Sequence, residues 1–147
     1  MTIQETAELK RKLRAEGFEI YRTQAGHIQL AERVRDNLIM DSGIAVELQT
    51  DGEPTGVLVT VRAQASHFPG ADDTTLRAEA RKLAAPYLEI GYSEEESSMR
   101  PVPDPSDPAH SLDTSHEVRI RRAVSSEEDL WAELHAALAL KRNTSDD

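Results

Sequence analysis

The 147-residue chain carries 17 basic and 27 acidic residues, which give a formal net charge of −10, and it contains no cysteine. This composition excludes disulfides and thiolate nucleophiles, and the negative field opposes binding to nucleic acid or to an anionic membrane. No apolar run is long enough to cross a bilayer, and the charged first residues do not resemble a secretory signal. We therefore expect a cytoplasmic protein that binds neither nucleic acid nor membrane.

The first third of the chain is predicted to contain two helices separated by a strand. A capping-box pattern that begins at Thr2 predicts a helix over 3–16, and alternating apolar residues predict a strand over 18–22. The stretch HIQLAERVRDNLIM then changes to helical spacing. Ser42 with Gly43 is predicted to end this second helix.

A hairpin and a third helix are predicted in the middle of the chain. Alternating apolar residues in GIAVELQT and VLVTVRA flank the turn-rich segment 51–56, a pattern typical of two antiparallel strands. Asp72 or Asp73 is placed to cap a helix whose apolar residues recur at helical spacing. Pro86 is predicted to break or bend this helix near residue 84, because proline lacks the backbone N–H.

The segment SSMRPVPDPSDPAHSLD, residues 97–113, is rich in proline and aspartate. We interpret it as a mobile loop within one domain, because a separate piece after it would be too small to bury a core. Residues 92–100 are predicted as an edge strand, and 115–123 as a strand that returns to the same sheet. The single domain is predicted to span 1–142, with a disordered tail at 143–147.

Together with a final helix that opens at SSEED, these elements predict an α+β fold. The middle of the chain has the order β-α-β-β-α-β, which is the split βαβ or ferredoxin-like arrangement. We predict an antiparallel sheet of about four to five strands with helices mainly on one face, and extra helices at both ends.

Residues suited to chemistry are few and loosely arranged. His110, Asp113 and His116 are weak candidates for metal ligands, since they lie in a segment without a helical register to fix their geometry. The sequence contains no nucleophile elbow and no glycine pattern for phosphate binding. We assign no catalytic residues and no cofactor, and we expect that the protein is not an enzyme.

The final helix and the strand before it carry the candidate partner-binding residues. Trp131, the single tryptophan, and Leu130 are interpreted either as core residues or as an anchor for a partner. Arg119 and Arg121 project from one face of the predicted strand, toward the acidic residues 94–96 or toward a partner's carboxylate or phosphate. The small aliphatic core also favours a homodimer, because association would bury more apolar surface.

The resulting hypothesis is a non-enzymatic, acidic protein-interaction module that binds a protein partner with a basic surface. In size and composition the chain resembles type III secretion chaperones of the effector-binding kind, and immunity proteins share this character. The resemblance implies a regulatory, chaperone-like or immunity-like role. The alternative hypothesis is a small-molecule-binding protein or enzyme, with a pocket formed by Arg62, His67 and the strand at 115–121.

Overall fold

A computed structural model describes residues 3–24, 26–35, 38–48, 54–104 and 106–145. Within these ranges the chain forms three α-helices and six β-strands. In chain order the elements are α1 (Ile3–Ala15), β1 (Ile20–Gln24), β2 (His27–Arg35), β3 (Leu38–Leu48), β4 (Pro54–Gln64), a 3-10 turn (Ala65–His67), α2 (Asp73–Glu89), β5 (Ser93–Asp104), β6 (Asp107–Ala123) and α3 (Glu127–Ser145).

The strands form one antiparallel sheet in the order β1-β2-β3-β4-β6-β5, so that β1 and β5 are its two edges. The predicted α+β class is confirmed. The sheet has six strands rather than four to five, and the ferredoxin-like arrangement is not confirmed. The chain divides into two compact units, which we call unit 1 (Met1–Val59 with Arg121–Asp147) and unit 2 (Thr60–Ile120). A single domain over 1–142 stays a prediction.

The core of unit 1 is aliphatic, as the composition predicts. It receives side chains from both helices of the unit and from its strands, and the α1 helix contributes Leu9 and Leu13. The other members with almost no exposed surface include Ile28, Leu30, Ile44, Val46, Val57, Val59, Leu130, Leu134 and Ala137. Burial of these branched residues on one side of each strand supplies the main stabilisation of the unit.

The predicted second helix is wrong, because its residues form strands β2 and β3. Ile28 and Leu30 are both buried, with half-buried Gln29 between them, which is the alternation of a strand. Ile28 lies opposite Val46 in the antiparallel register of β2 and β3. Pairing with a neighbouring strand therefore overrides the helical propensity of the Ala, Glu, Arg and Leu residues in this stretch.

The Ser-Gly pair that was predicted to end that helix instead forms an irregularity inside β3. Gly43 has φ of 79°, a left-handed conformation that glycine adopts without strain, and its N–H donates to Asp41 Oδ1 at 2.9 Å. The buried hydroxyl of Ser42 donates to the Leu30 carbonyl at 2.8 Å. The pair therefore shifts the register of β3 without ending the strand.

The predicted hairpin in the middle of the chain is confirmed. Ile44 pairs with Val59, and Val46 pairs with Val57, in an antiparallel register. Residues 49–53, which include most of the predicted turn, lie outside the described part of the chain. The predicted capping residue Thr2 also lies outside it.

The third predicted helix is present as α2 in unit 2, and Asp72 caps it by accepting the Thr75 N–H at 2.8 Å. Pro86 was predicted to break or bend the helix near residue 84; the break is wrong, because the helix continues to Glu89, and the bend stays a prediction. The Tyr87 ring meets Tyr92 edge-on at 5.8 Å between ring centroids. This contact joins the end of α2 to the entry of β5.

The proline-rich segment 97–113 is mostly strand rather than the predicted loop. Its residues belong to β5 as far as Asp104 and to β6 from Asp107. Pro101 lies on β5, which is an edge strand, where a missing N–H does not interrupt the ladder. The final helix α3 continues to Ser145, beyond the predicted domain end at 142. Within the described ranges, no helix combines the length and apolarity that a membrane crossing needs.

Candidate functional site

A cleft of about 470 Å³ opens in unit 1 between the α1-to-β1 connection, β2 and α3. We call it the α3 cleft. Its lining residues are Gly17, Phe18, Glu19, Ala31, Glu32, Arg33 and Leu138. The volume lies within the range of small ligand sites and is also large enough for one or two side chains of a partner.

The backbone turn after α1 forms one wall of the α3 cleft. Gly17 has φ of 95°, the left-handed conformation that commonly follows a helix end. The next N–H, that of Phe18, donates to the Leu13 carbonyl at 3.0 Å. The Glu19 carbonyl then accepts the Ala31 N–H at 2.8 Å, which fixes this wall against β2.

Two ion pairs involve acidic residues that line the cleft. Arg33 Nη2 lies 2.7 Å from Glu19 Oε1, and Lys141 Nζ lies 2.8 Å from Glu32 Oε2. Lys141 also donates to the Ser42 carbonyl. The side chains of Glu19 and Glu32 are 42% and 29% exposed, so each carboxylate can accept a further hydrogen bond from a basic side chain of a partner beside its internal ion pair.

An aromatic cluster adjoins the cleft through Phe18. Its ring centroid lies 4.5 Å from that of His135 and 6.3 Å from that of Trp131. Phe18 is buried, Trp131 is half-buried, and His135 is exposed. Trp131, His135 and Leu138 are spaced by four and three residues on α3, so they form one stripe that leads to the cleft.

The structure separates the predicted partner-binding residues. Trp131 contacts Phe18 beside the α3 cleft, whereas Leu130 is fully buried and offers no surface to a partner. Arg121 binds Glu47 on β3, and its predicted approach to the acidic residues 94–96 stays a prediction. Arg119 is half-buried on β6.

Arg121, Glu47 and Thr55 form a polar cluster in unit 1. Arg121 Nε donates to Glu47 Oε1 at 2.9 Å, and the Thr55 hydroxyl donates to the same oxygen at 2.8 Å. The Arg121 hydrogen bond, with help from Thr55 and against the effect of burial, holds the pKa of Glu47 below its ordinary value. This arrangement satisfies Arg121 within the chain.

His116 on β6 is buried in unit 2 and contacts two residues of β5. Its Nε2 lies 2.5 Å from Ser97 Oγ, and its Nδ1 lies 3.2 Å from Met99 Sδ and 3.6 Å from Asp73 Oδ1. A thioether and a carboxylate are acceptors only, so in the neutral ring Nδ1 carries the hydrogen. Nε2 is then the acceptor, and the Ser97 hydroxyl donates to it.

The three candidate metal ligands are placed differently from one another. Asp113 accepts the hydroxyl and the N–H of Ser66, and the Ser66 hydroxyl bond lowers the pKa of Asp113. His116 is buried against Ser97, and the side chain of His110 lies outside the described residues. Among the described side chains, no group of three or more His, Cys, Asp or Glu residues has metal-binding geometry.

The region of the alternative pocket is held together by two polar contacts. Arg62 Nε donates to Glu117 Oε1 at 2.7 Å, which joins β4 to β6. The Ser66–Asp113 bonds join the 3-10 turn to β6, next to exposed His67. A small-molecule pocket in this region stays a prediction.

Several site residues were missed at the sequence level. Leu138 and Phe18 were assigned only to a helix face and to a strand, and no motif links them. Ser97 was assigned to a polar loop. The turn-forming residues DPSD at 104–107 were the available clue, because a turn between two predicted strands would bring side chains on either side of it together, as Ser97 and His116 are.

Comparisons with known proteins do not extend this description. No protein-family model matches the chain, and neither the curated proteins nor the solved structures contain a significant match. Function therefore has to be argued from the chain's own contacts.

Proposed function

We propose that this chain is a non-enzymatic, acidic protein-interaction module that binds a protein partner with a basic surface, in a regulatory, chaperone-like or immunity-like role. The proposal includes self-association of two copies. The observation that carries it is the α3 cleft with its half-buried tryptophan and its two rim carboxylates. Partly exposed tryptophans beside a pocket are common anchors in protein interfaces.

The distribution of charge supports a basic partner. Many of the basic side chains form ion pairs with the chain's own carboxylates, and these are Lys12, Arg33, Arg62, Arg81, Lys82, Arg121, Arg122 and Lys141. Since acidic residues outnumber basic ones by 27 to 17, this pairing leaves a surplus of carboxylates to set the surface field. Such a field attracts positively charged partners and accelerates their association.

The cleft accounts for both parts of the proposed recognition. An apolar side chain of the partner enters beside Phe18 and Leu138, and Lys or Arg side chains on either side of it meet Glu19 and Glu32. The apolar contact supplies affinity through burial, and the charged contacts supply orientation and rate.

The test is affinity purification with the full chain as bait, over a series of salt concentrations. His135→Glu on the cleft stripe is compared with Ala136→Glu, an exposed neighbour about 100° further around α3. We expect a partner that is captured by the wild type and by Ala136→Glu, is lost with His135→Glu, and is released as salt rises. Capture of nothing at any salt concentration, or equal capture by both variants, refutes the proposal.

A second candidate function is favoured by Ser97 and His116. This function is acyl transfer from an ester to the serine. Ser97 Oγ forms a bond to the carbonyl carbon of the ester, and its proton passes to His116 Nε2. The bond between the carbonyl carbon and the alcohol oxygen then breaks, the alcohol takes the proton from His116, and an acyl-serine remains. Incubation with p-nitrophenyl acetate followed by peptide mass analysis tests it, with Ser98→Ala as the matched control for Ser97→Ala. An acetyl group on Ser97 that disappears in His116→Gln supports this function, and an unmodified Ser97 excludes it.

A further inference from the structure

Unit 2 carries exposed apolar side chains on the second half of α2 and at Ile90, the residue that follows its last helical position. Leu83 and Ile90 are each 40% exposed, and Leu88 is 43% exposed. The face that packs within unit 2 consists of Leu76, Ala80, Ala84 and Tyr87, and Leu83 lies at one edge of it. The helix therefore has apolar residues beyond those that its own unit covers.

Two of these side chains, Leu83 and Ile90, lie toward one flank of α2 together with half-buried Pro86. Leu83, half-buried Pro86 and Ile90 are separated by three and four residues, the spacing of a coiled-coil seam. We call them the α2 stripe. Leu88 lies about 160° around the helix from Ile90, so it belongs to the opposite flank.

The charges beside the α2 stripe are self-complementary. Lys82 and Glu89 lie on the same side of the stripe, at similar distances before and after Pro86. When two α2 helices lie antiparallel about a two-fold axis at Pro86, Lys82 of each copy faces Glu89 of the other. A two-fold interface needs such a self-complementary patch, because each residue meets its counterpart from the same surface.

We propose that the α2 stripe is the contact surface of a homodimer with antiparallel α2 helices. The α2 dimer gives a specific form to the self-association that the proposed function includes. It rests on the self-association alone and not on partner binding, because the α3 cleft belongs to unit 1 and the α2 stripe to unit 2. A seam of one short helix per copy lies at the low end of the area that specific interfaces bury. We expect a weak dimer, with a dissociation constant on the order of micromolar.

Sedimentation velocity of the full chain over a concentration series tests the stripe. We expect wild-type protein to change from monomer to dimer, and Leu83→Glu to raise the dissociation constant by about tenfold or more. Leu88→Glu adds the same charge at an equally exposed position and leaves the constant within about twofold. A wild type that stays monomeric, or a larger effect of Leu88→Glu, overturns the proposal.

Charge reversal tests the antiparallel orientation. Lys82→Glu places two acidic residues opposite each other, Glu89→Lys places two basic residues opposite each other, and each weakens the dimer. The double variant restores the pairs, so its dissociation constant returns toward that of the wild type. Because Lys82 also pairs with Glu79 at 2.9 Å, circular dichroism of each variant establishes that α2 is intact. Weakening by both single changes without recovery in the double variant overturns the antiparallel arrangement.

The two proposals fail separately. The Leu83→Glu variant, which is expected to be monomeric, serves as bait with and without His135→Glu. If it captures a partner only when His135 is present, the result supports the α3 cleft whether or not the wild type forms a dimer. A dimer that is insensitive to His135→Glu supports the α2 stripe whether or not a partner is captured.

Discussion

Replacing Glu47 with glutamine is expected to destabilise the protein at neutral pH and to lose this effect in acid. Glutamine keeps the shape and the acceptor oxygen of Glu47 but removes the negative charge that Arg121 binds. The Arg121 and Thr55 bonds to Glu47 Oε1, at 2.9 and 2.8 Å, become bonds to a neutral oxygen. The free energy of unfolding, measured by urea titration, reports the change.

The magnitude follows from the difference between charged and neutral hydrogen bonds. Bonds to a charged group contribute about 1.5–3 kcal/mol and neutral ones about 1 kcal/mol. The side chains of Arg121 and Glu47 are 30% and 24% exposed, so solvent screening reduces this difference. We expect Glu47→Gln to lower the free energy of unfolding by about 1–2 kcal/mol at neutral pH.

The pH dependence follows from the lowered pKa of Glu47. The pKa of this carboxyl is ordinarily 4.5, and in the folded state it is lower. The ionised carboxyl therefore stabilises the fold fully when the pH is above the pKa of the unfolded chain, and this contribution is lost as the pH falls through the pKa of the folded state. Wild type and Glu47→Gln should therefore converge below pH 4.5. Equal stability at neutral pH, or a difference that persists undiminished in acid, refutes the reasoning.

The matched control is Glu117→Gln, which removes the charge from another pair between strands. Arg62 Nε lies 2.7 Å from Glu117 Oε1, but the Arg62 side chain is 52% exposed. Exposed pairs contribute little because water screens them, so we expect a loss of about 0.5 kcal/mol. If Glu117→Gln lowers the free energy of unfolding as much as Glu47→Gln does, the destabilisation results from removing a negative charge in general and not from the Arg121 contact.

Three further changes test the packing and the backbone. Leu134→Ala removes a fully buried side chain of α3, so it should cost about 2–5 kcal/mol in urea unfolding, and a loss under 1 kcal/mol would contradict the observed burial. Gly43→Ala places a β-carbon on a residue with φ of 79°, a left-handed conformation in which a β-carbon is strained. The change should lower the stability by about 1–2 kcal/mol and so lower the melting temperature. An unchanged melting temperature would argue against the irregularity in β3. Pro86→Ala restores a backbone N–H inside α2 and also increases the conformational entropy of the unfolded chain. The net effect should be a stabilisation of about 1–2 kcal/mol in urea unfolding. A loss of stability would show that Pro86 makes packing contacts that alanine does not replace.

The elements that were predicted well are those in which propensity and burial agree. The β3–β4 hairpin has alternating branched residues on both strands, and Ile44 and Val59 are both buried as that alternation requires. Asp72 was foreseen as a helix cap because its short carboxylate reaches the N–H of Thr75. His116, Val118 and Ile120 alternate along the predicted strand at 115–123, and all three are buried.

The errors arose where neighbouring strands override local preference. Residues 27–41 contain good helix formers, yet the spacing of Ile28 and Leu30 suits a strand, and pairing with β3 decides between the two. The proline content of 97–113 indicated a loop, although proline is tolerated on an edge strand. The α3 cleft was not foreseeable for a similar reason, because Phe18 and Leu138 meet only through the fold of unit 1.

Unit 1 is built from the two outer segments of the chain, with all of unit 2 encoded between them. Its long-range contacts include that between Lys12 and Glu127, which are 115 residues apart. On the ribosome, α1 therefore has no α3 to pack against until translation has passed Arg121, while unit 2 is already synthesised. Leu130 and Leu134 of α3 join the core of unit 1 only at the end of translation, so a nascent chain stalled within unit 2 should be a better target for holdase chaperones and proteases than the finished protein.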